Sequence, residues 1–376
     1  MTKTEFFLRE LIALPSVNPA FLPVNDPCGG EKRIAEFLAA QAARRGLDVE
    51  FRAVLPNRSN LLARLSPAGR VRQRILLAPH LDTVNVAKET QFAPEKRNGK
   101  VFGRGACDTK GSVAAMFTAL CELAESKQRP RQTEILFAGL VDEENAQAGS
   151  RSLAASGLKA DLAIVGEPTR LQVVTAHKGS LWLELETRGK SAHGSRPDLG
   201  RNAVHEMARI VDLLQTQYAT QLRRREHPLL GCATVSVGTI AGGTQANIVP
   251  DRCTALVDRR TLPGETEASV EREIQSLLRT KKLKADLLNG KLAACLPLET
   301  NPRLPLVQQF LRTIGRSRPA GVDYFCDASI LSRGGIPSVV FGPGDIAQAH
   351  TANERISLQS LERAKAMLVR FLKSLF

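Results

Sequence analysis

The strongest constraint on how this 376-residue chain folds is the stretch Ile75-Leu76-Leu77-Ala78-Pro79-His80-Leu81-Asp82. Four apolar residues in succession leave no polar face, so as a strand the run must be covered on both sides. Pro79 ends it, because proline cannot donate to a ladder in mid-sheet. Comparable runs lie at 134–141, 162–165 and 338–341, and segments of helical pattern separate them. Strands alternating with helices predict an α/β fold: a mostly parallel sheet with helices on both faces. Helices are expected over 3–14, stopped by Pro15, over 31–45, closed by Gly46, and over 112–126. Others are expected at about 149–156, at 303–315, and at 358–375 after a Ser357 N-cap. Asn98-Gly99 marks a hairpin turn.

Near residue 177 the pattern changes. Leu181, Leu183 and Leu185 alternate with polar positions, as in a half-exposed strand. A strand-helix-strand-strand-helix order follows and reads as a compact α+β module inserted into the larger domain. The expected division is 1–176 with 290–376 around an insert of 177–289.

Ligands of open α/β sheets bind beyond the carboxyl ends of the strands, and in this chain acids collect there. His80 and Asp82 are two residues apart and point the same way from an extended chain, so one can hold a metal while the other orients it. Asp108 sits in the glycine-rich stretch GRGACDTKGS, residues 103–112. Asp142-Glu143-Glu144 follow the run at 134–141, Glu167 follows 162–165, and His350 ends GPGDIAQAH. Singly, these are bland: a loop cap, a solvated turn, a capping carboxylate. Together, so many carboxylates would repel one another without cations. Histidine with carboxylate suits zinc, cobalt or manganese, and a two-metal site polarises a carbonyl and supplies hydroxide. Of the adjacent Glu143 and Glu144, one could bind metal while the other acts as general base.

The net charge of +14 raises nucleic acid as a partner. Aromatics are only 5%, and the basic clusters at 223–225 and 281–284 sit at helix edges, so they read as solvated faces. The expected partners are therefore small anionic molecules, with neither nucleic acid nor membrane. No apolar run reaches membrane-span length, and Glu5, Arg9 and Glu10 interrupt the N-terminal stretch, which reads as an amphipathic helix and not a signal peptide. Seven cysteines without a CxxC pair fit a reducing cytoplasm, and Cys107 reads as a small buried hydrophobe.

The set PHLDT, GRGACDTKG, VDEE and GEP, with an inserted module and a late AH, resembles the dinuclear zinc amidohydrolases. These include acetylornithine deacetylase, succinyl-diaminopimelate desuccinylase and glutamate carboxypeptidases. The resemblance runs from about residue 5 to the C-terminus. It implies that His80 and Glu167 bind one metal, Glu144 and His350 the other, and that Asp108 bridges them. Glu143 would be the general base and Asp82 would orient His80. GKSAHGSRPDLGRNA resembles the stretch whose histidine, His193, reaches the substrate carbonyl from a partner subunit, implying a homodimer with the insert as dimerisation and lid domain. Asn247 and Arg259 resemble substrate-carboxylate contacts. GPGDIAQAH with a later Glu354, HGSRP and YFCDAS resemble the acetylornithine deacetylase side. The implied activity is hydrolysis of an N-acyl amino acid amide, with a desuccinylase or a carboxypeptidase or dipeptidase as the alternatives on the same site, and a non-enzymatic basic binding protein as the remote one.

Overall fold

The computed structural model describes residues 1–126, 129–289 and 295–376. Two compact units emerge: Met1–Thr175 with Thr300–Ala320 and Cys326–Phe376, and a smaller one of Ala176–Glu299 with Gly321–Phe325. The expected boundary between 289 and 290 falls at a position outside the described residues. Residues 295–299 group with the smaller unit, where Ser180 and Cys295 exchange backbone hydrogen bonds and Leu298 pairs with His177.

In the larger unit, Gln73–Pro79 lies mid-sheet, parallel to Thr133–Gly139 on one side and Leu162–Gly166 on the other. Ser338–Val340 extends the parallel set. The edges are antiparallel: Asp48–Leu55 and Arg58–Leu65 form a hairpin beside Thr133–Gly139, and Val340 pairs with Val174 beyond the parallel set. The four-residue apolar run is buried on both faces as its composition requires. Ile75 and Leu77 join the main core, and Leu76 and Ala78 are as deeply buried on the opposite face.

The main core collects the first helix, Lys3–Ala13, the largely apolar helix Lys110–Glu125 and the last helix, Leu358–Lys373. Phe7, Phe117 and Phe137 stack edge to face through it. Helix ends follow local chemistry: the Thr2 hydroxyl caps the first helix at Glu5 N–H, Ser357 caps the last at Ser360 N–H, and Gly46 closes Lys32–Ala43 at φ +69°. On the other face the helices Ala148–Ala155 and Ala328–Arg333 pack together.

The smaller unit is a four-stranded antiparallel sheet in the order Thr234–Gly242, Arg252–Thr261, Gly179–Arg188, Asp286–Asn289. Leu181, Leu183 and Leu185 face a core shared with Met207, Ile210, Val270 and Ile274 of its helices, while Trp182 between them is exposed.

Candidate metal centre

The central strand delivers His80 at its carboxyl end. The ring is buried, with Nδ1 3.0 Å from the Asp82 carbonyl and 3.5 Å from its carboxylate. Nε2 therefore faces outward, 3.2 Å from Asp108 Oδ1 and 3.8 Å from Glu167 Oε1. The other oxygen of Asp108, Oδ2, lies 3.4 Å from His350 Nε2, which is 3.2 Å from Glu144 Oε2. Asp108 thus stands between two imidazoles, one oxygen toward each, with Glu167 on the first side and Glu144 on the second. The five residues come from positions between 80 and 350 and converge in the larger unit.

Loop conformation delivers these side chains. Gly105 takes φ +79°, open to glycine at little cost, where the 103–109 loop folds back ahead of its helix. Asp142 and His350 adopt positive φ, 69° and 60°, although neither is glycine. Backbone in that region persists only where surroundings fix it. Around Asp142 they do. Its amide donates to Glu31 Oε1, and its carboxylate accepts from Arg58 and Asn18. Arg58 also holds both oxygens of Glu31. Asn18 donates to Asp82 as well, at 2.8 Å. Asp82 in turn accepts the amides of Glu143 and Glu144, each at 3.1 Å, one on each oxygen. Asp82 therefore fixes His80 and the turn carrying the two glutamates together. Asn18, Glu31 and Arg58 went unsuspected from sequence, since each bonds partners tens of residues away.

Charge in the cluster is unevenly held. Burial opposes ionisation of Asp108, but hydrogen bonds from His350 and His80 outweigh it and keep its carboxyl below the ordinary value. Hydrogen bonds to Asp108 and Glu144 push His350 up to about 10. Burial disfavours a charged His80, yet the Asp108 and Asp82 carboxylates hold its pKa well above normal. Burial, then neighbouring carboxylates, pushes Glu143 and Glu167 well above the usual range despite His80.

The donor set fits divalent metal. His80, Asp108 and Glu144 offer ligand atoms all within 4.8 Å of one another. Glu144 Oε1 and Glu167 Oε1 are buried without a hydrogen-bond partner. An orphaned buried carboxylate oxygen is costly, and a cation relieves it. Glu143 stands beside this set and is held to it through its backbone.

The three sites expected in the insert fall in the smaller unit. His193 and Asn247 lie side by side on exposed loops: His193 bridges Ile248, and Gly194 N–H donates to Asn247 O at 2.7 Å. Arg259 corrects its expectation. It is fully buried, with NH2 2.6 Å from Glu265 Oε1 and Nε 3.2 Å from the Tyr218 hydroxyl. A guanidinium so committed is a core ion pair, unavailable to an incoming carboxylate. Strand parity carried the signal, since Cys253, Ala255 and Val257 share its face. Arg260 takes the opposite face, where it donates to Asp258 at 2.9 Å.

The model of peptidase family M20/M25/M40 matches residues 76–374. The acetylornithine deacetylase of Myxococcus xanthus is 30% identical over 377 residues, covering 96% of this chain and 95% of its own. Among solved structures, the aminopeptidase PepT from Bacillus cereus ATCC 10987 aligns with TM-score 0.79 at 22% identity, over 99% of this chain and 98% of the other. The M20 family metallo-carboxypeptidase Sso-CP2 from Sulfolobus solfataricus aligns with TM-score 0.77 at 20% identity, over 99% of both chains.

Proposed function

This chain belongs to peptidase family M20/M25/M40, and from that premise we propose that it is a dinuclear metal-dependent deacylase, acetylornithine deacetylase-like, cleaving the amide bond of an N-acyl amino acid. The observation that carries this reading is Asp108, its two oxygens directed at His80 and His350 beside the orphaned oxygens of Glu167 and Glu144. His80 and Glu167 would hold one ion, Glu144 and His350 the other, and Asp108 would serve both. The ions would be zinc, with cobalt or manganese as the other candidates. When bound, such a pair polarises the acyl oxygen and lowers the pKa of water.

The chain's own groups do the rest. Glu143 takes the proton of the attacking water and returns it to the departing amine. Asp82 keeps the His80 ring oriented. His193, supplied by a second copy of this chain in a homodimer, donates to the developing oxyanion, and its exposure leaves it free to do so. The 176–299 unit would be the dimerisation and lid domain. Asn247 and, in place of Arg259, its outward neighbour Arg260 hold the substrate carboxylate. No helix among the described residues is long and apolar enough to cross a membrane, and the buried thiols of Cys107, Cys121, Cys253 and Cys326 suit the cytoplasm.

The test is amine release from a panel of N-acyl amino acids and dipeptides with zinc or cobalt added. Preference for N-acetylornithine is the expected result. Preference for succinyl-diaminopimelate or a dipeptide would keep the chemistry and overturn the substrate. No release from any compound together with no bound metal would overturn the site.

A further inference from the structure

We infer that Glu354 is a positioning residue that clips the loop of Asp108 to the segment of His350 and so sets the spacing on which the shared carboxylate depends. This rests on the metal reading above. Glu354 is 1% exposed, and its bond to the proposed ligand Asp108 is through the backbone amide. Its carboxylate is saturated by the 103–108 loop. Oε1 accepts the amides of Cys107 at 2.8 Å and Asp108 at 3.0 Å. Oε2 accepts the amide of Gly105 at 3.0 Å and NH1 of Arg104 at 2.7 Å. The Glu354 carbonyl accepts a fifth bond, from Gly103 N–H at 3.1 Å. One residue thus bonds four of the six residues from 103 to 108 through their backbone, and a fifth contact comes from a guanidinium.

The consequence is geometric. His350 lies four residues before Glu354, and Asp108 lies far away in the chain at the end of the clipped loop. At the ligands themselves the two segments meet in the 3.4 Å approach of His350 Nε2 to Asp108 Oδ2. A carboxylate that accepts from the Asp108 amide fixes that residue's backbone against the His350 segment before any ion arrives. Partners one step removed from a metal govern its affinity because they hold the ligands in the binding geometry. The role needs a carboxylate. Glutamine would turn one acceptor oxygen into an NH2 group facing loop amides, setting donor against donor.

Cobalt(II) binding to the full chain, followed by visible absorption of the bound ion, tests this with Glu354→Gln against wild type. The variant should bind cobalt about 10- to 100-fold more weakly. Its kcat should recover as cobalt is raised, with KM within about twofold of wild type. A merely structural role would lower melting temperature and leave the cobalt midpoint in place. An unchanged midpoint in a folded variant overturns the inference. Should Glu354→Gln fail to fold, Arg104→Lys decides: it keeps the charge and the three amides but shifts the carboxylate, and a midpoint weakened by about threefold supports the clip while an unchanged one overturns it. Failure of the wild type to take up any cobalt overturns the metal reading and the clip together, and so is distinguishable from failure of the clip alone.

Discussion

Asp108 and His193 are both assigned to the same reaction, yet their surroundings are opposites. Asp108 is 7% exposed, its amide is bound by Glu354, and both carboxylate oxygens face imidazoles. His193 is exposed, and its Nδ1 lies 2.8 Å from the hydroxyl of Ser195, two residues away. The 142–144 turn resembles the first case, with Glu31, Arg58, Asn18 and Asp82 all engaged. Groups that must keep a fixed geometry toward an ion are over-determined by buried polar partners. His193, assigned to meet the substrate, is left on the surface with a single local partner instead. Where a residue assigned to the second task is found built like the first, as Arg259 is, the assignment fails.

The largest effect should come from separating base from ligand at one turn. Glu143→Ala is expected to lower kcat roughly 10³-fold with two metal equivalents still bound by atomic absorption. Glu144→Ala should lose metal as well as turnover. Full metal occupancy in the second, or near wild-type rate in the first, would dissolve the distinction between the neighbours. Next is Arg259→Ala, which empties the fully buried guanidinium site and leaves the half-buried Glu265 to Arg225 and the Leu262 amide. Truncating a buried side chain costs on the order of 2 kcal/mol, so chemical unfolding should show a clear loss of stability. Arg260→Ala should instead leave stability within about 0.5 kcal/mol and raise KM. The reverse pattern would return the carboxylate role to Arg259.

Much of this was legible in the chain because it is local. The run at 75–78, the cap at Ser357, and the turn at Asn98-Gly99 depend on neighbours within a few residues, and the structure follows them. The acids could be gathered because each closes a strand or a loop in sequence, and strand ends in a parallel sheet come together. Their bracing was not legible. Asn18 before Pro19 looks like a turn residue, Glu31 like the first turn of a helix, and Glu354 enters only as part of a family pattern, with no role attached. Their partners are set by topology, 64 to 250 residues away. The antiparallel edges were also hidden, since apolar runs do not encode direction. Arg259 is different in kind. The odd-numbered apolar positions from Cys253 onward already put it on the covered face, and only the family resemblance suggested otherwise.

Two histidines of the smaller unit finish the comparison. His193→Ala should lower kcat by about 10²-fold, the usual loss for one oxyanion donor, with metal content and melting temperature unchanged. A drop in melting temperature would show it to be a structural residue. His177 is its buried counterpart: Nδ1 lies 2.9 Å from the Lys178 carbonyl and Nε2 is enclosed without a partner. Burial pushes its pKa down to about 4, from near 6.5 when unfolded. The unfolded chain therefore binds the extra proton as pH falls below about 6.5, so the stability from a neutral His177 is present above that value and lost below it. Taking the protein from about pH 7.5 to about pH 5.5 should cost on the order of 1 kcal/mol through this group. His177→Asn keeps a donor for the Lys178 carbonyl and cannot be protonated, so its stability should fall less over the same interval. Parallel pH profiles for wild type and variant would mean that the buried histidine is as solvated as the exposed one.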